Sequence, residues 1–144
     1  MADYVLIEGD LAMFMPSFGA ATVVVRPGRM QGSGPGSWNG KNYCVDGDEK
    51  QLAVPGCPYI TPVYSIPGVG TLKIANLAAN QKAKITHAGG KVVLLKGNLF
   101  TAKFEVQTPA QQPPPDPGPP IPDSMSSYSG LGSFITFNTN YQAT

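Results

Sequence analysis

Glycine and proline interrupt this chain so often that no long helix fits into it. The 144 residues include 17 glycines and 15 prolines, which is roughly twice the usual share of these two residue types. Glycine weakens a helix and proline breaks one. Because 42% of the residues are hydrophobic, the chain can still bury a core. The composition therefore excludes a helical bundle, and the length permits one compact domain with a tail.

Short runs rich in β-branched and aromatic residues lie between the glycine and proline turns. Pairs such as Pro27-Gly28, Asp46-Gly47 and Gly89-Gly90 separate these runs. Short strands between tight turns are typical of an all-β protein, which is the fold class that the sequence predicts. The predicted strands are residues 4–7, 22–25, 59–66, 71–74, 91–95 and 100–106.

One segment, residues 74–85, fits a helix as well as it fits strands. It lacks glycine and proline, and Ile74, Leu77 and Ala78 have helical spacing. The other interpretation is a strand, a turn over residues 76–81, and a second strand over residues 82–86. The local sequence leaves both interpretations open.

Charge and proline content divide the chain into three predicted parts. Residues 1–108 hold all ten Lys and Arg residues and seven of the nine carboxylates, and form the predicted β domain. Residues 109–122 hold eight of the fifteen prolines, which favours an extended polyproline II linker. Residues 123–144 form the predicted C-terminal tail, which is either a flexible adaptor or folds back onto the sheet through one candidate short strand over residues 134–137.

The sequence also limits where the protein acts. A formal charge of +1 gives no bias toward nucleic acid, and no apolar run approaches the roughly 20 residues that a transmembrane helix needs. The N-terminus carries Asp3 where a secretory signal has basic residues. We therefore expect no signal peptide, a cytoplasmic location in the producing cell, and no stable membrane insertion.

Cys44, Cys57 and His87 are the only set of soft metal ligands in the chain. Thiolate and imidazole suit Zn²⁺, but a closed structural site takes four ligands, so water or a carboxylate such as Asp46 would complete it. The other interpretation is two buried free thiols and a solvated histidine. Two cysteines permit at most one disulfide, which a reducing compartment disfavours.

No pattern in the chain predicts an enzyme. Neither a Gly-x-Ser-x-Gly nor a His-Glu-x-x-His motif is present, and no Gly-Lys step is followed by Ser or Thr as in a phosphate-binding loop. Trp38 and Tyr43 are candidates for an aromatic recognition patch, although strand aromatics more often fill cores.

Three stretches of the sequence, taken in order, resemble the PAAR and PAAR-like proteins that cap the spike of contractile injection systems, including type VI secretion systems. The first is Tyr4-Val-Leu-Ile-Glu-Gly-Asp10, and the second is Cys44-Val-Asp-Gly-Asp48. The most specific stretch, residues 67–90, is similar to the family's strand, turn, strand and ligand residue before Gly-Gly. The resemblance covers residues 4–106 and implies a strand pair, not a helix, over residues 71–86.

The resemblance implies a small conical β fold whose broad base sits on a trimeric VgrG-like spike. Family members bind zinc near the apex through His and Cys, and His87 resembles the ligand before Gly-Gly. Cys44 and Cys57 lie in the turn-rich region where further ligands would fall. The family supplies several histidines, whereas this chain has one.

Function follows from the same resemblance. It implies a non-enzymatic spike tip that sharpens the spike for membrane puncture and is delivered outward with it. The C-terminal tail would attach an effector or a chaperone. The alternative is a small β-rich immunity or adaptor module that binds a toxin or effector through the Trp38 and Tyr43 region.

Overall fold

The computed structural model describes residues 3–38, 40–114, 118–138 and 141–144, without the side chain of Trp38. The all-β fold class is confirmed, since the described residues contain strands and only two short 3₁₀ helices, Asp48–Gln51 and Ala79–Gln81. The strands are β1 Asp3–Tyr4, β2 Leu11–Phe14, β3 Ser17–Phe18, β4 Ala21–Val23, β5 Gly28–Arg29, β6 Ser37–Trp38, β7 Lys41–Asn42, β8 Ala53–Ile60, β9 Gly68–Asn76, β10 Lys82–Ala88, β11 Lys91–Leu94, β12 Phe100–Thr108, β13 Gln111–Gln112, β14 Ile121–Pro122, β15 Ser127–Ile135 and β16 Gln142–Ala143.

A curled antiparallel sheet of eight strands forms the body of the protein. Its order is β3-β4-β8-β9-β12-β15-β2-β5. In β12 the side chains of Phe100, Ala102 and Phe104 are buried and alternate with more exposed residues, as expected when one face of a strand covers a core. The main core lies against this face and includes an edge-to-face pair of Phe14 and Phe100, with ring centroids 5.6 Å apart.

Strand β15 agrees with the alternative in which the tail folds back onto the sheet, but it is longer than the predicted strand and lies inside the sheet. Residues 123–144 were expected to form a tail with a short strand over residues 134–137. Instead, β15 lies inside the large sheet, between β12 and β2. Its glycines weaken the sequence pattern of a strand, yet they are required by packing, because a Cβ on Gly132 would lie 2.4 Å from Phe100 Cζ.

The proline-rich segment leaves the sheet after β12 and returns to it before β15. Next to its ends, Gln111 and Gln112 pair with Pro122 and Ile121 in a short antiparallel ladder. The expected polyproline linker over residues 109–122 includes residues 115–117, which lie outside the described residues.

A buried carboxylate fixes the base of this segment. Asp123 Oδ2 accepts hydrogen bonds from Tyr59 Oη at 2.9 Å and from Tyr128 Oη at 2.5 Å. Tyr59 Oη in turn accepts from the Ala110 amide at 2.9 Å, and the Asp123 amide donates to the Ala110 carbonyl. We call Tyr59, Ala110, Asp123 and Tyr128 the clamp.

The strand interpretation of residues 74–85 is correct and the helical one is wrong. β9 ends at Asn76, a single 3₁₀ turn follows, and β10 begins at Lys82. The two strands do not form the expected pair, because β9 lies between β8 and β12 while β10 pairs with β11. No helix within the described residues is long and apolar enough to cross a bilayer.

Candidate docking site

Three separate segments meet at one end of the protein through a closed ring of backbone hydrogen bonds. The Leu6 amide donates to the Leu94 carbonyl, the Leu94 amide to Cys44, and the Cys44 amide to Leu6, each at 2.9 Å. Each segment thus donates to one neighbour and accepts from the other. We call residues 4–8, 42–46 and 92–96 the hub.

The same threefold pattern continues on both sides of the ring. The isolated bridges of the hub join Val5 with Leu95, Ile7 with Tyr43, and Val45 with Val93. A second set of amide-to-carbonyl bonds, each 2.9 Å long, runs from Glu8 to Asn42, from Asp46 to Val92 and from Lys96 to Tyr4. The backbone of the hub therefore has pseudo-threefold symmetry, built from a single chain.

Each hub segment also extends outward as one strand of a short antiparallel pair. These three pairs, which we call arms, are β1 with β16, β6 with β7, and β10 with β11. The register is equivalent in all three, because Tyr4 lies opposite Gln142, Asn42 opposite Ser37, and Val92 opposite His87. The arms carry the threefold arrangement beyond the ring.

The hub separates two hydrophobic cores. Leu6, Cys44 and Leu94, which share the ring position, belong to the main core under the sheet. Their neighbours in sequence belong to a second, smaller core, as expected because successive side chains in an extended segment point to opposite faces. This second core contains Val5, Val45, Ala83, Val93, Leu95 and Ala143.

Tight turns follow the first two segments and hold them to the rest of the fold. Gly9 has a φ of 92° and Gly47 a φ of 101°, a backbone conformation that favours glycine. The next residue in each case is a buried aspartate: Asp10 accepts from the Ile7 amide and Asp48 from the Val45 amide, both at 2.8 Å. The Gly-Asp turns identified in the sequence therefore cap the hub segments.

The third segment uses a different acceptor at the equivalent place. The Leu95 amide donates to the Gln81 carbonyl at 2.9 Å, and the Gly97 amide donates to Asp3 Oδ2 at 2.7 Å. Sequence reasoning missed this repeat, because Lys96-Gly97-Asn98 replaces the acidic Gly-Asp pattern of the other two segments. The sequence signal that could have identified the third segment is the apolar run over residues 92–95, which is followed closely by Gly97-Asn98.

The predicted metal ligands do not come together. Cys44 and Cys57 are fully buried in the main core, while His87 is exposed on β10 and its Nδ1 lies 2.8 Å from the Ile85 carbonyl. Cys57 Sγ donates to the Val54 carbonyl at 3.5 Å. Throughout the described ranges, no group of three or more His, Cys, Asp or Glu residues is placed to hold a metal ion.

Burial also favours the neutral form of the Cys44 thiol. Zinc binds the thiolate form of cysteine, whereas burial, with a smaller effect of nearby Asp48 and Asp10, raises the pKa of the Cys44 thiol far above its usual range. A buried neutral thiol packs as a small apolar side chain. The described structure therefore does not place Cys44, Cys57 and His87 together as one ligand set.

Of the two predicted aromatic residues, Trp38 lies on the second arm and Tyr43 lies in the adjoining hub segment. The backbone of Trp38 pairs with Lys41 in β6 and β7, and its side chain lies outside the described part of the structure. Tyr43 is half-buried against the second core and stacks on Tyr141, with ring centroids 5.2 Å apart and planes 22° apart. Burial raises the pKa of Tyr43, and Tyr141 adds a smaller effect.

The hub and the proline-rich segment lie at opposite ends of the protein. β12 begins two residues after the third Gly turn and runs nine residues to Thr108, a span of about 30 Å. β15 returns antiparallel to it, and the residues after β15 contact Asp10 beside the hub. We call the two ends the hub end and the far end.

Comparison with known proteins identifies the family. A family model described as the contractile injection system spike tip protein matches residues 1–144. No curated protein matches the chain. The family match covers the three hub segments, the arms and the proline-rich segment, and it confirms the resemblance drawn from the Gly-Asp turns and residues 67–90. The chain belongs to the contractile injection system spike tip family.

Proposed function

We propose that this spike tip protein caps a trimeric VgrG-like spike and docks on it through the hub end. The observation that carries the proposal is the ring of Leu6, Cys44 and Leu94. A trimer presents three identical chain ends around one axis, and a closed symmetric interface needs equivalent surfaces. The hub lets one chain offer three nearly equivalent backbone positions to those ends.

The arms supply the means of contact in this proposal. Each arm is only two strands wide, so its outer strand has an edge that can pair with a further strand, except where the Ile85 and Thr86 amides of β10 already donate to the Thr144 carbonyl. Addition of a strand at such an edge is a common mode of protein recognition. The outer strands are β16, β6 and β10, and we assign them to the spike contact.

The far end then points away from the spike and leads during puncture. It consists of the loop between β8 and β9, the clamp, and the proline-rich segment, which the Ile66 and Gln111 bridge ties together. The protein acts by binding and by mechanical stiffness, not by catalysis. Attachment of an effector or a chaperone falls to the far end in this scheme, where residues 118–122 are exposed and lie away from the spike.

The test is binding of the purified chain to its cognate trimeric spike protein, measured by co-elution in size-exclusion chromatography. The double variant N42R and Q142R places two charges on exposed positions of the arms, and we expect it to abolish co-elution, since docking would desolvate both charges. The matched control V63R and M125R adds the same charge at exposed positions of the far end and should bind as wild type. Failure of the wild-type chain to co-elute, or loss of binding in the control alone, contradicts the proposal.

A further inference from the structure

The backbone of the hub is threefold, but the clefts between its three arms are filled in three different ways. Between the first and second arms, the stacked rings of Tyr43 and Tyr141 close the cleft. Between the second and third arms, Pro35 lies against the turn at Gly89 and leaves a cavity of about 350 Å³. Between the third and first arms, a cavity of about 600 Å³ stays open. We call this last one the open cleft.

Irregular pairing of β10 creates the open cleft. The register between β10 and β11 shifts between Lys82 and His87. Within that interval the amides of Ile85 and Thr86 donate instead to the Thr144 carbonyl, both at 2.9 Å. Ile85 is 74% exposed and lines the cleft together with the buried Leu95. An apolar group of a partner that covered this side chain would remove its apolar surface from water.

Three charged side chains line the open cleft: Asp3, Lys82 and Lys84. Lys82 pairs with Asp46, with Nζ 3.0 Å from Oδ1, and the Asp3 carboxylate keeps its charge while it accepts hydrogen bonds from the amides of Tyr4 and Gly97. Lys84 is exposed and has no ion-pair partner among the described residues. The cleft therefore presents an apolar surface beside one ammonium group that is available to a partner.

We propose that the open cleft receives an apolar side chain and a neighbouring carboxylate from one of the three spike chains. The apolar group would cover Ile85, and the carboxylate would pair with Lys84. The inference rests on the proposed function, because it assigns the cleft to the spike by its place between two docking arms. Three identical chain ends would meet three different clefts, since one holds the Tyr43 and Tyr141 stack, one is the smaller cavity beside Pro35, and only the open cleft has Ile85 and Lys84 in its lining. The interface is thus symmetric in its backbone and asymmetric in its side chains.

Site-specific crosslinking tests this assignment directly. Both native cysteines are fully buried, so the variant I85C offers one accessible thiol for a photoactivatable crosslinker. In the complex with the cognate spike trimer we expect a covalent adduct of one tip chain with one spike chain. The control V63C, labelled in the same way at the exposed loop of the far end, should give no adduct.

Charge reversal provides a second and independent readout. We expect K84E to weaken spike binding by about tenfold or more, because it sets two carboxylates against each other. The exposed K50E, on the first 3₁₀ helix outside the cleft, should bind as wild type. A complex that forms without an adduct at position 85 and tolerates K84E overturns this inference and leaves the proposed function intact. Absence of any complex with wild-type protein instead contradicts the proposed function.

Discussion

The Phe137 amide donates a hydrogen bond to Asp10 Oδ1 at 2.9 Å across 127 residues of sequence. The other carboxylate oxygen, Oδ2, accepts from the Ile7 amide at 2.8 Å and from Thr136 Oγ1 at 2.6 Å. Asp10 is fully buried. One carboxylate therefore ties the first hub segment to the chain that leaves β15, and links the hub to the sheet.

Replacement of Asp10 with asparagine should destabilise the protein strongly. An amide offers one acceptor oxygen, so its NH₂ group would face a donor that the carboxylate now satisfies. We expect D10N to lower the free energy of unfolding by about 3 kcal/mol, measured by urea denaturation. D46N is the matched control, because Asp46 is half-exposed and pairs only with Lys82 across the surface, where such pairs contribute about 1 kcal/mol or less. Equal stability of the two variants would show that Asp10 does not connect hub and sheet.

The clamp predicts different costs for its two tyrosines. Y59F removes a donor to Asp123 and also the acceptor of the Ala110 amide, whereas Y128F removes only a donor. We expect a loss of about 2 kcal/mol for Y59F and about 1 kcal/mol for Y128F. Hydrogen exchange of the Ala110 amide should accelerate more in Y59F than in Y128F, since only that variant leaves the amide unpaired. Unchanged exchange in Y59F would argue against the clamp as the anchor of the proline-rich segment.

The buried Cys44 thiol predicts a loss of stability at alkaline pH. Burial raises the pKa of this thiol in the folded protein, while the unfolded chain ionises it near its ordinary pKa, about 8.5. A raised folded pKa means that the stabilisation is complete below pH 8.5 and is lost as the pH rises further. We expect wild type to lose about 2 kcal/mol between pH 7.5 and 10 from this group.

The variant C44A isolates this effect. Its absolute stability is lower because a buried side chain is truncated, but its stability should fall less than that of wild type over the same pH range. Denaturant titrations at pH 7.5 and pH 10 supply the comparison. Parallel pH dependence in the two proteins would mean that Cys44 ionises as readily in the folded state as in the unfolded one.

Local patterns were sufficient to predict the fold class and several strands. The run of aromatic and β-branched residues over 100–106 identified β12, and the Gly89-Gly90 pair identified the turn between β10 and β11. β15 was largely missed because two of its nine residues are glycines. In the folded protein the ring of Phe18 packs against Gly130 and the ring of Phe100 packs against Gly132, so a larger residue would clash at either position. Propensity cannot reveal such contacts, because the partners are distant in sequence.

The hub, too, could be predicted only in part, because its contacts join segments that are distant in sequence. The turns at Gly9-Asp10 and Gly47-Asp48 were visible in the sequence, but their role in a closed ring was not, because the third segment has Gly97-Asn98 and a backbone acceptor from Gln81. The metal set Cys44, Cys57 and His87 was chosen by residue type and by the family resemblance of the residue before Gly-Gly. In the folded protein the two thiols are buried and the histidine is exposed. The sequence could not predict this difference, because it depends on contacts with residues that are distant along the chain.

The mass of the complex with the cognate spike protein, measured by native mass spectrometry, tests the central claim most directly. A hub that offers three equivalent positions from one chain should occupy the whole end of a trimer and exclude a second copy. We therefore expect a single species that contains three spike chains and one tip chain. A complex with three tip chains per trimer, or no complex, would contradict the assignment of the hub as the docking site.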